Sequence, residues 1–524
     1  MISNITLHLK WLMDKIPQFF QFDKEELYFF DMRSKKVCSV NPPGKLLQSL
    51  TIKSLYHPLL YQGCPYVIIN QDLICHPHLV ALKKVQNRVF GMDLNRIVEI
   101  DGGTTTILFQ TTETILDFLM DSRCEGLLVH TTRKGVSSYQ ASDLWYIKKT
   151  GLPLSLNSTN SNVTHFAFDT NCNPFFLTDT NSQFESHYLD PYKKRFIGCS
   201  NILMFHDHYF LVATREGVDV LIECQNTSWI EHPLPFTSIQ ELFTDGYHLY
   251  VAGFGQTGPL SVVKSQSRIN NQLIFSCFYQ NAHPLTESIQ NDLSFSHQLQ
   301  PLDQKMGKGW IVGKLDLDKP VIIRIHGGPI SHVEKRVTEE VLFFHSKGYN
   351  LIYPNYRGST GYKRAHRVAL IHQYSIADVK DISNLVDSLL KKGIDPKKII
   401  LKGKSSAGLT AILSSLKVQV GALLIYCPLT TNIPSDGELK FLFPPKYDPF
   451  KRAIKVKTPM VLFQGDQDTI IEKKWTDRFV QEVIKTNCSV QYHVLSGVGH
   501  SIRDETENQC LRMEDDFLTS YFKS

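Results

Sequence analysis

The stretch KIILKGKSSAG, residues 398–408, predicts a strand, a sharp bend and the start of a helix. Its first half is apolar and β-branched, as in a buried strand, and its second half has small residues around two serines. In such a strand-to-helix bend the two elements nearly touch, which explains a residue as small as Gly403. The bend exposes the hydroxyl of Ser405, and the following helix points the positive end of its dipole toward that hydroxyl.

The two serines permit two registers of the bend. If Ser405 stands at the bend, the small residues Gly403 and Ala407 lie two positions before and after it. If Ser406 stands there, the bulky Lys404 occupies the position two residues before it. The pattern therefore favours Ser405 as an activated nucleophile, and Ser406 is the alternative.

Three other segments follow apolar strands: HGGP at residues 326–329, GDQD at residues 465–468 and GVGH at residues 497–500. Asp468 and His500 follow Ser405 in the chain order that is typical of α/β-hydrolases, in which a histidine and an acid activate a serine. Asp466 is the alternative acid. This order predicts acyl transfer to water.

In this interpretation His500 takes the proton of the nucleophile as general base and returns it to the leaving group. Asp468 orients the imidazole and stabilises its charged form. The backbone N–H groups of Ser406 and Gly328 are the predicted oxyanion donors. His326 is expected to brace its loop rather than to react.

The chain after residue 300 alternates apolar strands with longer amphipathic stretches. Strands are predicted at residues 320–325, 350–353 and 490–495, and a long helix at residues 375–392. This alternation indicates a mostly parallel sheet with helices on both faces, which is the α/β-hydrolase architecture. In such sheets ligands bind at the carboxyl ends of the strands, where all four singled-out segments are placed.

The earlier part of the chain has short runs of β-branched and aromatic residues, for example at residues 26–30, 127–130 and 208–212. Such runs are typical of antiparallel strands, which could form a large sandwich, two small barrels or a β-propeller. A blade takes about 40–45 residues, so the length fits a six- or seven-bladed propeller. We expect an amphipathic helical segment at residues 1–24, a β-propeller at residues 25–290 and an α/β-hydrolase domain at residues 291–524.

The composition excludes several other classes of protein. The 524 residues carry a net charge of +5 without a dense basic block, so no nucleic-acid partner is expected. No segment resembles a transmembrane helix or a secretory signal. The 11 cysteines include no Cys-x-x-Cys pair, which predicts no zinc site and a reducing, cytoplasmic location. The histidine pairs in CHPH, residues 75–78, and HDH, residues 206–208, are interpreted as ordinary strand or loop histidines.

The segments HGGP, NYRGSTGY (residues 355–362), the Ser405 bend, GDQD and GVGH occur in an order that resembles the prolyl oligopeptidase family of serine peptidases. The similarity is nearest to its acylaminoacyl-peptidase and dipeptidyl-peptidase-like branch. It implies Ser405, Asp468 and His500 as the catalytic triad. It also implies a propeller that caps the site and excludes large folded proteins, an N-terminal helix on the hydrolase domain, and neither a metal nor an organic cofactor.

We therefore predict a cytoplasmic serine peptidase that cleaves short peptides through an acyl-enzyme, with the propeller as a size filter. An esterase or acyl hydrolase that acts on small esters with the same triad is the first alternative. A catalytically weak protein that binds peptides or proteins through its propeller is the second, since Lys404 and Ala407 stand where glycine is common in this branch. A homo-oligomer is compatible with each interpretation.

Overall fold

The computed structural model describes residues 79–280 and 299–523 apart from short gaps, the longest of which are residues 187–198 and 431–438. Before residue 79 it describes the backbone of six strands. The described residues form two compact units, one up to Gln280 and one from Leu299 onward. The predicted domain boundary at residues 290 and 291 lies outside the described residues and stays a prediction.

The described elements of the N-terminal unit are short strands. They are β1 Pro17–Asp23, β2 Glu26–Asp31, β3 Lys36–Asn41, β4 Lys45–Leu50, β5 Tyr66–Ile69, β6 Asp72–Cys75, β7 Ala81–Val85, β8 Arg88–Met92, β9 Arg96–Asp101, β10 Thr104–Gln110, β11 Ile115–Met120, β12 Gly126–Thr132, β13 Ser142–Lys148, β14 Leu154–Ser155, β15 Val163–Phe168, β16 Pro174–Thr178, β17 Glu185–Ser186, β18 Cys199–Phe205, β19 His208–Arg215, β20 Val218–Gln225, β21 Ser228–His232, β22 Ser238–Thr244, β23 Leu249–Phe254, β24 Leu260–Ile269 and β25 Gln272–Gln280.

These strands form small antiparallel sheets in which neighbours along the chain pair with each other. Four sheets are four-stranded blades with described side chains: β7–β10, β11–β14, β18–β21 and β22–β25. Successive sheets contact one another in chain order, and β22 contacts β1. This closed ring of meanders is a β-propeller. The count of six or seven blades stays a prediction, because the sheets β1–β4, β5–β6 and β15–β17 are described only in part.

The predicted helical segment at residues 1–24 is wrong at its end. Pro17–Asp23 is the strand β1, which pairs antiparallel with β2. The proline has no N–H to donate within a helix, and the phenylalanines that follow it favour a strand. Residues 1–16 lie outside the described residues, so the rest of that segment stays a prediction.

The histidine pair at residues 206–208 has separate protein partners. His208 donates its Nδ1–H to the buried carboxylate of Glu223 at 2.5 Å, and Arg268 donates to the same carboxylate. The ring of His206 donates to the carbonyl of Gly246 at 3.2 Å. The two imidazoles therefore act as ordinary strand and turn histidines. Residues 76–78 of the other pair lie outside the described residues.

The C-terminal unit is built on an eight-stranded sheet flanked by helices. Its strands are β26 Leu299–Pro301, β27 Gly309–Val312, β28 Val321–Ile325, β29 Asn350–Pro354, β30 Ile399–Lys404, β31 Ala422–Tyr426, β32 Met460–Gly465 and β33 Val490–Leu495. Its helices are α1 Glu339–Ser346, α2 Arg364–Val368, α3 Ala377–Lys391, α4 Ser406–Ser415, α5 Leu439–Leu442, α6 Pro449–Ala453, α7 Lys473–Ile484 and α8 Asp504–Lys523, with 3₁₀ turns at Gln304–Met306 and Pro396–Lys398.

The sheet has the strand order β26-β27-β29-β28-β30-β31-β32-β33 and is parallel from β29 to β33. The central strands are apolar along their length because helices cover both faces, as the sequence predicted. The carboxyl ends of β28, β30, β32 and β33 therefore meet at one edge of the sheet, where the four singled-out segments begin. Among the helices of the described residues, none combines the length and the hydropathy that a membrane span requires.

Candidate active site

Ser405 stands at a strained bend between β30 and α4. Its φ is 59° and its ψ is −126°, a conformation that side chains rarely adopt and that often marks functional positions. The bend is held by a 2.9 Å hydrogen bond from the N–H of Ser405 to the carbonyl of Tyr426 in the next strand. A Cβ atom at Gly403 would lie 2.3 Å from the carbonyl oxygen of Ala407, so only glycine fits there.

The two neighbouring serines have different surroundings. Ser405 is half-buried, whereas Ser406 is only 2% exposed and its Oγ has no hydrogen-bond partner. The carbonyl of Ser406 accepts a 2.7 Å hydrogen bond from the hydroxyl of Tyr374, which anchors the first turn of α4. Of the two serines, Ser405 is therefore the more accessible.

Asp468 and His500 lie together although 32 residues separate them in the chain. His500 Nδ1 is 2.8 Å from Asp468 Oδ2. The other carboxylate oxygen accepts the backbone N–H groups of Ile470 and Ile471 at 2.9 and 2.8 Å. Burial alone would raise the pKa of Asp468, but the hydrogen bonds from His500 and Ile471 hold that pKa below its ordinary value. The carboxylate is thus kept ionised beside the imidazole.

Asp466, the alternative acid, has a different role. Its Oδ1 accepts the backbone N–H of Gly497 at 2.8 Å, and its own N–H donates to the carbonyl of Leu495. These bonds tie the loop after β32 to the loop that carries His500. Asp466 therefore holds the loop in place, and Asp468 is the acid that contacts the histidine.

The HGGP loop lies against the bend. A Cβ atom at Gly327 would lie 3.1 Å from the carbonyl oxygen of Lys404 and 3.8 Å from Cβ of Ser405. His326 is stacked on the ring of Tyr356 at 4.3 Å, and its Nε2 is 2.7 Å from Oγ of Ser359. Burial lowers the pKa of His326 to about 3, so its ring is neutral near pH 7. These contacts match the predicted bracing role.

The end of β31 contacts both the Ser405 bend and the pair of Asp468 and His500. Ser405 is bonded to Tyr426, and the next residue, Cys427, has its Sγ within 4.8 Å of a carboxylate oxygen of Asp468 and a ring nitrogen of His500. No hydrogen bond joins Ser405 Oγ to His500 in the part of the chain that the structure describes. A Ser-His-Asp relay requires such a bond between the hydroxyl and the imidazole.

Residues 335–419 match the family model described as the prolyl oligopeptidase family. Part of the C-terminal unit is therefore similar in sequence to the prolyl oligopeptidase family. The curated relatives include acylamino-acid-releasing enzyme 1 of rice, 30% identical over 29% of this chain and 23% of that protein, and the peptidase YuxL of Bacillus subtilis, 26% identical over 35% and 31%. The chain thus matches about a quarter to a third of these relatives' length.

Solved structures of peptidases resemble nearly the whole chain in fold. A puromycin-hydrolyzing peptidase of Mycobacterium tuberculosis has a TM-score of 0.81 at 15% identity, over 98% of this chain and 95% of that chain. The acylaminoacyl peptidase of Pyrococcus horikoshii has a TM-score of 0.63 at 12% identity, over 98% and 96%. At these identities the likeness shows the fold alone. It confirms the predicted combination of a β-propeller and an α/β-hydrolase domain.

The segment NYRGSTGY, residues 355–362, supports the loop that follows β28. The side-chain oxygen of Asn355 accepts the N–H of Val333 at 2.8 Å, and the N–H of Thr360 donates to the carbonyl of Ser331. Arg357 pairs with Asp381 on α3 at 2.8 Å. The segment therefore connects the predicted oxyanion loop to a helix below the site.

Cys427 is the residue at this site that the sequence did not suggest. It follows β31 directly and is fully buried, and burial raises the pKa of its thiol to about 12. Its position directly after a central parallel strand is the sequence feature that could have identified it, because the other site residues also follow strand ends. No spacing along the chain connects it to Asp468 or His500.

Proposed function

We propose that this chain is a serine peptidase that hydrolyses short peptides through an acyl-enzyme. The observation that carries the proposal is the 2.8 Å contact between Asp468 and His500 beside the strained bend at Ser405. An ionised acid, an imidazole and a half-buried hydroxyl that follow strand ends at one edge of the sheet are the parts that acyl transfer requires. Relatives that are named as peptidases support a peptide as the substrate.

In the proposed reaction Ser405 Oγ attacks the scissile carbonyl while Nε2 of His500 takes its proton. Asp468 keeps the proton of His500 on Nδ1, so that Nε2 is free to act as the base. His500 then protonates the leaving amine, and water repeats the sequence to release the acyl group. The result is a free serine and two peptide products.

The developing oxyanion is proposed to lie between the backbone N–H groups of Ser406 and Gly328. Ser406 is the first residue of α4, so its N–H has no acceptor inside the helix and meets the positive end of the dipole. Gly328 belongs to the loop that contacts the bend through Gly327. Each such donor lowers the barrier by about 3–4 kcal/mol in related chemistry.

The propeller is proposed to act as a size filter. It is also proposed to have six or seven blades. The seven described free cysteines fit the proposed cytoplasmic location, where thiols stay reduced. A filter predicts that short peptides are cleaved and that the same bond inside a folded protein is not. Comparing a peptide with a folded protein that displays it in a surface loop measures this directly.

A second candidate is a catalytically weak protein that binds peptides. The absence of a hydrogen bond between Ser405 and His500 in the described chain favours it, because a competent relay needs that contact. An esterase uses the same groups, and it differs in the leaving group that His500 must protonate. Peptide anilides test the amine leaving group and acyl esters the alcohol, so their relative turnover separates peptidase from esterase.

A fluorophosphonate probe tests the nucleophile itself. We expect it to label the wild-type chain and the Ser406→Ala variant, which keeps the backbone N–H, and to leave Ser405→Ala unlabelled. Peptide hydrolysis by Ser405→Ala should fall by a factor of about 10⁴ or more. If the wild-type chain is not labelled, the result supports the interpretation as a binding protein. If Ser405→Ala is labelled, the nucleophile is a residue other than Ser405.

A further inference from the structure

Cys427 places a sulfur ligand beside the proposed catalytic pair. Its Sγ, a carboxylate oxygen of Asp468 and a ring nitrogen of His500 all lie within 4.8 Å of one another. The cysteine and the aspartate are buried, and the side chain of His500 is 22% exposed. The proposed hydrolysis uses the carboxylate and the imidazole but gives no role to the thiol.

We propose that Cys427, Asp468 and His500 form an inhibitory site for Zn²⁺ that switches the proposed peptidase off. Thiolate, imidazole and carboxylate are the ligands that zinc takes in proteins, and hard cations such as Mg²⁺ disfavour the sulfur. Three protein ligands with water in the fourth position form a complete tetrahedral set. The proposal rests on the proposed function for its consequence, and on the three side chains for the binding itself.

The site is largely preformed because two of its ligands are held by the ends of adjacent strands. The N–H of Cys427 donates to the carbonyl of Phe463 at 2.9 Å, and Asp468 is fixed by the N–H groups of Ile470 and Ile471. Zinc bonds of about 2.0–2.3 Å place tetrahedral ligands roughly 3.3–3.8 Å apart. The imidazole of His500 needs to move by about 1 Å or less from its present 2.8 Å contact with Asp468 to reach that spacing. The sulfur of Cys427, which lies within 4.8 Å of both other ligand atoms, needs to approach them by at most about 1 Å.

Binding changes the protonation of the groups that perform catalysis. Cys427 loses its thiol proton to solvent, and sulfur binds the metal as thiolate. The ring nitrogen that binds zinc gives up its hydrogen bond to Asp468, and the proton of the neutral imidazole moves to Nε2. One proton is released in total. With Nε2 protonated and the acid engaged by the metal, His500 cannot accept the proton of Ser405.

Cobalt and zinc titrations of the full chain test the site with two separate readouts. Co²⁺ bound to a thiolate gives a charge-transfer absorption, which reports the sulfur ligand without any turnover. We expect this band in the wild-type chain, its displacement by Zn²⁺, and inhibition of fluorophosphonate labelling at Ser405 over the same zinc range. Chelation should restore the labelling.

Cys427→Ser and Cys427→Ala should remove the band and raise the zinc concentration for half-inhibition by at least about 10-fold. Cys277→Ser is the matched control, since Cys277 is an exposed thiol in the propeller unit and its loss should change neither readout. The proposal is overturned if the wild type shows no thiolate band, if the band persists without Cys427, or if zinc inhibits both Cys427 variants as strongly as the wild type.

The two readouts keep this inference separate from the proposed function. If the wild-type chain shows the cobalt band but is neither labelled nor hydrolyses peptides, the proposed peptidase activity is rejected and the metal site is supported. If the wild-type chain hydrolyses peptides but shows no cobalt band, the proposed activity is supported and the metal site is rejected. If the Cys427 variants do not fold, the wild-type band together with zinc protection of Ser405 supports the site, and the absence of either in the wild type rejects it.

Discussion

His500 Nδ1 lies 2.8 Å from Asp468 Oδ2, whereas Asp466, two residues earlier, is bonded to the backbone of Gly497. The two aspartates lie on one short loop and have different roles. One orients the proposed base, and the other fastens the loop on which that base is carried. This difference makes the pair a matched test of the proposed relay.

Asp468→Asn should lower kcat by about 10⁴-fold in peptide hydrolysis, because an amide no longer fixes the tautomer and stabilises the imidazolium. Asp466→Asn should lower it by less than about 10-fold, because Oδ1 of an asparagine still accepts the N–H of Gly497. Steady-state kinetics of both variants and of the wild type provide the comparison. A greater loss in Asp466→Asn than in Asp468→Asn would make Asp466 the catalytic acid.

Gly403→Ala should damage the bend, because its Cβ would lie 2.3 Å from the carbonyl oxygen of Ala407. We expect a loss of about 1–3 kcal/mol in stability and of about 100-fold or more in labelling rate by a fluorophosphonate, since the hydroxyl of Ser405 is displaced. Gly151→Ala is the control, because the nearest atom to its Cβ is 3.6 Å away. Equal labelling of the two variants contradicts the steric argument.

Lys402 lies in a buried charge cluster on the face of the sheet that packs on α8. Its Nζ is 2.7 Å from Glu514 and 2.9 Å from Glu340, and the Lys402 and Glu514 side chains are 4% and 0% exposed. Lys402→Met should destabilise the C-terminal unit by about 3–5 kcal/mol, because it leaves the buried carboxyl group of Glu514 without its cation. Faster hydrogen exchange in peptides that cover β30 and α8 measures the effect.

Lys398→Met is the control for that experiment. Its Nζ donates to the carbonyl of Asp318 at the surface, and its removal should change stability by less than about 0.5 kcal/mol. Similar exchange rates in the two lysine variants would show that the buried cluster contributes little to the stability of the sheet.

The sequence predicted the C-terminal unit in detail because its patterns are strong. The strand Val490–Leu495 has the predicted bounds, and the helix predicted at residues 375–392 is Ala377–Lys391. Apolar runs that end at glycine-rich segments locate the carboxyl ends of parallel strands, where Ser405 and His500 lie. Local patterns are therefore sufficient to predict that these residues lie at one edge of the sheet.

Other features could not be predicted because they depend on contacts between distant segments. Cys427 approaches Asp468 and His500 only because β31, β32 and β33 are adjacent in the sheet. The local periodicity of hydrophobic residues does not determine the order of strands in a sheet. The strand Pro17–Asp23 lies within the segment predicted as helical, because its conformation depends on its pairing with β2. Strand pairing overrode a weak amphipathic pattern there.

Asp378 provides a test of pH dependence because it is a fully buried carboxyl group beneath α4. The hydroxyl of Thr410 donates to it at 2.6 Å, yet burial raises the pKa of Asp378 from 3.8 to about 6. The folded state therefore binds this proton more tightly than the unfolded state. Between pH 4 and 6 the contribution of Asp378 makes the free energy of unfolding fall as pH rises, and the loss persists above pH 6.

Asp378→Asn should remove that fall, because an amide does not ionise and still accepts the hydrogen bond of Thr410. The stability of the variant relative to the wild type should rise by about 2–3 kcal/mol between pH 4 and pH 7. Thermal unfolding at a series of pH values measures the difference. Asp387→Asn, on the exposed side of the same helix, is the control variant. If the curve for Asp378→Asn also runs parallel to the wild type, the buried carboxyl is not the source of the pH dependence.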